Sequence, residues 1–100
     1  MIATVWRFRV KADAVDPFER AYGPRGDWAR LFAQTEGFIG TELLKQGTQA
    51  DLYLTIDRWH SAEQFERAKA RMAAEYAELD RRFGAYTLEE SWLGLYEIQE

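Results

Sequence analysis

One hundred residues, 47% hydrophobic and 15% aromatic, suffice for one domain with a real core and are too apolar for a disordered chain. The absence of cysteine removes disulfides, thiolate nucleophiles, Cys-based zinc sites and iron–sulfur clusters together. A net charge of −4 with scattered Lys and Arg gives nucleic acid no basic patch, and no apolar run approaches the ~20 residues of a membrane span, which points to a cytoplasmic protein.

Ile2 to Val10 alternates, with Ile2, Thr4, Trp6, Phe8 and Val10 on one side and Ala3, Val5, Arg7 and Arg9 on the other. It reads as a first strand and not as a signal peptide. Asp16-Pro17 has the form of a helix start, with Asp as N-cap, Pro in first position, and Phe18, Ala21 and Tyr22 apolar. Gly23-Pro24-Arg25-Gly26 breaks that helix. Asp27 is placed to cap a second segment, Trp28 to Gln34, which Gly37 ends. Phe38 to Lys45 and Leu52 to Trp59 read as two strands of a hairpin, joined through Gln46 to Asp51. Ser61 with Gln64 resembles a capping box and opens one long helix to Phe83. Its apolar stripe is Phe65, Ala68, Met72, Tyr76, Leu79 and Phe83. After Gly84, Thr87 to Ile98 alternates as a last strand, with Leu88, Glu90, Trp92, Gly94, Tyr96 and Ile98 sharing one side.

The order β, α (in two pieces), β, β, α, β predicts an α+β, ferredoxin-like βαββαβ domain over residues 1–100. Helices on one face of a four-stranded antiparallel sheet leave the other face bare. Apolar residues fall on both sides of the first and last strands, so the bare face predicts a homodimer, sheet against sheet.

These segments resemble a known family. GFIGTELLK on the second strand, YLTIDRWHSAEQF across the third strand and helix start, and the closing SWLGLYEI look like the antibiotic biosynthesis monooxygenase domain family, of the dimeric α+β barrel superfamily. The resemblance extends over nearly the whole chain. It implies one of two chemistries: oxidation of polycyclic phenols to quinones by O2 without prosthetic group or metal, or binding and degradation of heme. In the first group a Trp matching Trp59 is accompanied by an Asn and a Tyr at the positions held here by Thr55 and Phe65. In the heme group an Asn on the first strand and a helix His join the Trp. This chain has no Asn, and no His near Lys69 to Met72.

The resemblance therefore implies a homodimeric, cofactor-independent monooxygenase acting with O2 on a small aromatic or polyketide-like substrate. The alternative is a non-catalytic dimeric binding module of the same fold, with heme binding third. Trp59 offers an apolar face and an N–H donor for substrate contact; the competing reading is a core Trp closing the sheet end. Phe65, Trp28, Trp6, Tyr76 and Thr55 are the further expected pocket walls, with Trp28 and Phe32 able either to act as a lid or simply to pack on the sheet. Asp57 is the candidate base, with a raised pKa if it faces the helices; the competing reading pairs it with Arg7 or Arg9. Tyr76 is a candidate donor or acid. His60 reads as a surface turn residue, and no Ser-His-Asp triad or tight metal site is supported.

Overall fold

A computed structural model describes all 100 residues. The chain runs β1 Ile2–Val10, α1 Val15–Tyr22, α2 Asp27–Phe32, β2 Phe38–Lys45, β3 Leu52–Trp59, α3 Ala62–Arg71, α4 Ala73–Phe83 and β4 Thr87–Glu97. Short 3-10 turns precede α1 and β4. The strands form one antiparallel sheet in the order β2-β3-β1-β4, the ferredoxin-like arrangement that the element order predicts. No helix is long and apolar enough to cross a membrane.

Register decides which side chains meet the helices. Ile2 lies opposite Trp59, Thr4 opposite Asp57, Trp6 opposite Thr55 and Phe8 opposite Tyr53. Paired residues share a face, so this parity of β1 and β3 is the covered one. Phe18 of α1 is wholly buried on it, its ring 4.3 Å from Tyr22, 5.0 Å from Tyr53 and 5.5 Å from Phe8. Each such ring contributes ~1.5–3 kcal/mol by burial. The Tyr53 hydroxyl donates to the Glu19 carboxylate and clips α1 to β3.

Three local expectations are corrected and a fourth holds. α1 begins at Val15, so Asp16 lies in its first turn rather than at the cap. Gly26, not Asp27, is the N-cap of α2, and Asp27 pairs with Arg30 at 3.4 Å. Both aspartates still face the positive end of a helix dipole, which is the same preference expressed one or two residues later. α2 stops at Phe32, so Gly37 is no helix cap. It enters β2 at φ +98°, where an added Cβ would lie 2.6 Å from the Gln64 Cβ, and its carbonyl accepts the His60 N–H at 2.8 Å. Ser61 does cap α3, its Oγ accepting from the Gln64 N–H at 3.1 Å.

The long helix is two. Met72 leaves helical geometry at φ −103°, ψ 22° and separates α3 from α4. The segment holds neither Pro nor Gly, so no local signal marks the bend. The Met72 side chain is buried at the junction.

β4 does not alternate cleanly. Val5 pairs with Gly94 but Trp6 pairs with Trp92, so Leu93 is an extra residue, and Gly94 takes φ +136°. This bulge puts Trp92 on the helix side with Trp6 while Tyr96, opposite Ala3, stays on the bare side. The bare face carries Val5, Leu54 and Ile56, half-buried, with exposed Leu44 and Tyr96 and an Arg58–Glu42 ion pair.

Candidate functional site

Between the covered sheet face and the helices lies a cavity of about 310 Å³. Its floor is sheet: Thr4, Trp6 and Phe8 from β1, Thr41 from β2, Thr55 and Asp57 from β3, Glu90 and Trp92 from β4. Its roof is helix: Tyr22, Trp28 and Phe32 on one side, Phe65, Lys69, Met72, Tyr76 and Asp80 on the other. The Met72 bend separates the two helices that supply the second set.

Asp57 is the polar centre. It is 8% exposed and accepts a hydrogen bond from the Thr41 hydroxyl at 2.5 Å. Burial pushes its carboxyl up to about 6, with the Thr41 hydrogen bond pulling the other way. The alternative of an ion pair with Arg7 or Arg9 is overturned. Both arginines have the other β1 parity; Arg7 is exposed, and Arg9 pairs with Asp51 at 2.7 Å. Across the cavity Tyr76 stands with its ring 4.7 Å from Trp28. Burial first, then the charges of Asp80, Asp57 and Glu90, raise its hydroxyl to about 12, so near neutral pH it stays protonated and can donate a hydrogen bond or act as an acid but cannot serve as a base.

Two more donors have nothing to bind. The Tyr22 hydroxyl and the Trp28 indole N–H are both buried, both without a hydrogen-bond partner, and both residues line the cavity. Burial raises the Tyr22 hydroxyl beyond its ordinary range, and the Trp28 side chain opposes that shift without closing a hydrogen bond of normal geometry. An unpartnered buried polar group costs roughly 1–3 kcal/mol, which a ligand bearing oxygen atoms would offset.

Of the residues singled out from the sequence, Asp57, Tyr76, Phe65, Trp28, Trp6 and Thr55 come together around this space. Trp59 does not. It is wholly buried at the sheet end, behind the cavity wall, its ring 5.2–5.5 Å from Phe38, Phe65 and Phe32. Two of those rings, Phe32 and Phe65, are themselves the wall, so Trp59 supports it rather than touching a ligand. Trp28 and Phe32 are packed members of the roof, not a loose lid. His60 lies exposed at the turn. Sequence reasoning missed Thr41, Tyr22, Glu90 and Trp92. Thr41 was recoverable only from the hairpin register, which sets it opposite Asp57.

Comparison with known proteins places this architecture. The family model described as "Antibiotic biosynthesis monooxygenase" matches residues 1–78. Among solved structures, SnoaB, a cofactor-independent oxygenase from Streptomyces nogalater, aligns over 99% of this chain and 93% of its own at 24% identity, with a TM-score of 0.69. A conserved protein from Methanosarcina mazei Go1 aligns over 98% and 92% at 14% identity and 0.72. MhuD, in a mutant form with two manganese protoporphyrin IX molecules per active site, aligns over 100% and 96% at 21% identity and 0.72. These likenesses establish the fold. No curated protein matches the chain in sequence.

Proposed function

The chain belongs to the antibiotic biosynthesis monooxygenase family, and from that premise we propose that it oxidises a small aromatic phenol with O2 inside the cavity, without a prosthetic group. The observation that carries this is Asp57: a buried carboxylate on the cavity floor, free of any cation, poised near pH 6. General bases work best with a pKa near the operating pH.

The steps balance without a further reductant. The phenol O–H breaks and its proton passes to an Asp57 carboxylate oxygen. The ring anion gives one electron to O2, and the resulting radical pair closes a C–O bond as a peroxide. The peroxide takes back the proton, its O–O bond breaks, and the hydrogen on the same ring carbon leaves with the departing oxygen as water. One oxygen atom stays as a quinone carbonyl and the substrate supplies all the electrons. The Tyr22 hydroxyl, the Trp28 N–H and the Tyr76 hydroxyl are the donors available to the developing oxyanion. The aromatic walls exclude water and hold the ring.

Heme is a poor fit. The cavity lining offers three carboxylates, Asp57, Asp80 and Glu90, against one Lys69, which opposes porphyrin propionates, and the single His60 lies outside it. A second reading is a non-catalytic binding module, favoured by Thr55 and Phe65, two cavity positions without an ionisable group. The homodimer joined on the bare face belongs to either reading and is supported by Val5, Leu44, Leu54, Ile56 and Tyr96 there. A single-chain mass by light scattering at micromolar concentration would remove it. We place the protein in the cytoplasm, on a chain free of cysteine.

Oxygen consumption with a panel of naphthols and anthrones tests the reaction. One O2 consumed per quinone formed supports it; compounds that bind with no oxygen uptake leave the binding module.

A further inference from the structure

The cavity carries charge that the oxidation does not use. Asp80 on α4 and Glu90 on β4 both line it, and neither enters any ion pair of the chain. Both line one cavity, where burial first and then the Asp80 charge raise the Glu90 carboxyl. The cations within reach are otherwise engaged. Arg81 pairs with Glu78 at 2.6 Å, Arg82 lies 5.0 Å over the Phe83 ring, and Lys69 lies 5.3 Å over Phe65. Two like charges facing one aromatic opening repel each other until a cation enters.

Tyr22 supplies an independent observation. It is 5% exposed, its hydroxyl is unpartnered, and it lines the same cavity as the two carboxylates. A phenol oxygen can accept from an ammonium N–H as readily as it donates. Trp92, edge-on to Trp6 at 5.4 Å, and Tyr76 present π faces beside the two carboxylates. Aromatic rings together with carboxylates are the surroundings in which alkylammonium groups bind.

We infer that the natural ligand is a cationic aromatic, its ring held against Asp57 and a protonated or quaternary amine held between Asp80, Glu90 and the Tyr22, Tyr76 and Trp92 rings. This deepens the oxygenase reading, on which the role of the ring rests; the amine site stands on its own geometry.

The test is equilibrium binding, read by quenching of tryptophan fluorescence, with two probes: a naphthol bearing a trimethylammonium group on a methylene arm, and the same naphthol with a neutral tert-butyl group in its place. The unaltered protein holds the cationic probe about tenfold more tightly, and added salt shrinks that preference. In the Asp80→Asn, Glu90→Gln double variant the ratio falls to about one. Equal affinity for both probes in the unaltered protein overturns the inference, and so does a preference that survives the double substitution. Both substituted side chains are exposed, and the salt series in the unaltered protein decides independently should the variant misfold. Binding is read without turnover, so the two readings fail separately. A cation preference without oxygen uptake removes the oxygenase alone, and oxygen uptake without a cation preference removes the amine site alone.

Discussion

Thr41 and Asp57 lie directly opposite each other on β2 and β3, and the Thr41 hydroxyl donates to the buried Asp57 carboxylate at 2.5 Å. This hydrogen bond favours the ionised form, while burial favours the neutral one and wins, leaving the group at about 6. A base must be ionised to take a proton. Turnover therefore rises with pH through about 6 and levels above it, following the Asp57 carboxylate. Thr41→Val removes the opposing influence. A hydrogen bond to a charged group is worth ~1.5–3 kcal/mol, so the midpoint of the pH–rate profile moves up by about one to two units. An unmoved midpoint would show that Asp57 is not the group controlling the rate.

Asp57→Asn separates activity from stability. The folded pKa of Asp57 lies above its unfolded value of 3.8, so its contribution to stability is fully present below about pH 3.8 and is lost as pH rises through about 6. At neutral pH the ionised group is a burden of up to about 3 kcal/mol, at 1.36 kcal/mol per pKa unit. The amide removes the charge and keeps the shape. Expected are a higher urea midpoint at pH 7 than the unaltered protein, little difference at pH 4, and a fall in kcat of about 10²–10⁴. Lower stability of the variant at pH 7 would contradict the assignment of a strained buried charge.

Gly37 is the third test. Its φ of +98° suits glycine, and an added Cβ would strike the Gln64 side chain beside the α3 N-cap. Gly37→Ala then costs about 1–3 kcal/mol of backbone strain, and more if Gln64 is driven from its place. Chemical denaturation reads the loss. A neutral result would mean that the β2 entry relaxes freely and does not pin β3 to α3.

These residues also mark how far the sequence carries. β1, β2 and β3 were legible to the residue, because strand alternation and the connection from Gln46 to Asp51 are local signals. The Ser61 cap was legible for the same reason. Asp57 was legible as an inward candidate by parity, yet its partner was not, since Thr41 meets it only once the hairpin register is set. The Met72 bend was invisible, because its segment holds neither Pro nor Gly, whereas the Leu93 bulge had a local mark in Gly94 that the reading by plain alternation passed over. That is why Trp92 was missed, while Trp59, read as either a pocket wall or a core Trp closing the sheet end, takes the second of these places. Strand pattern places a residue on a face; it does not say how far along that face the cavity extends.

Tyr22→Phe tests whether the orphaned donors wait for a ligand. The Tyr22 hydroxyl has no partner in the free protein, so deleting it removes a buried polar atom without breaking a hydrogen bond. The ring's packing on Phe18 at 4.3 Å and Phe8 at 5.0 Å is retained. Stability is then unchanged or higher by about 1 kcal/mol, whereas removing a partnered hydroxyl normally costs that amount. Affinity for the phenolic substrate moves the other way and falls about tenfold, because the ligand has lost the group that the empty protein left unsatisfied. A variant that loses stability and binds as before would mean that the hydroxyl serves the fold through a bridging water, and the donors for the oxyanion would reduce to Trp28 and Tyr76.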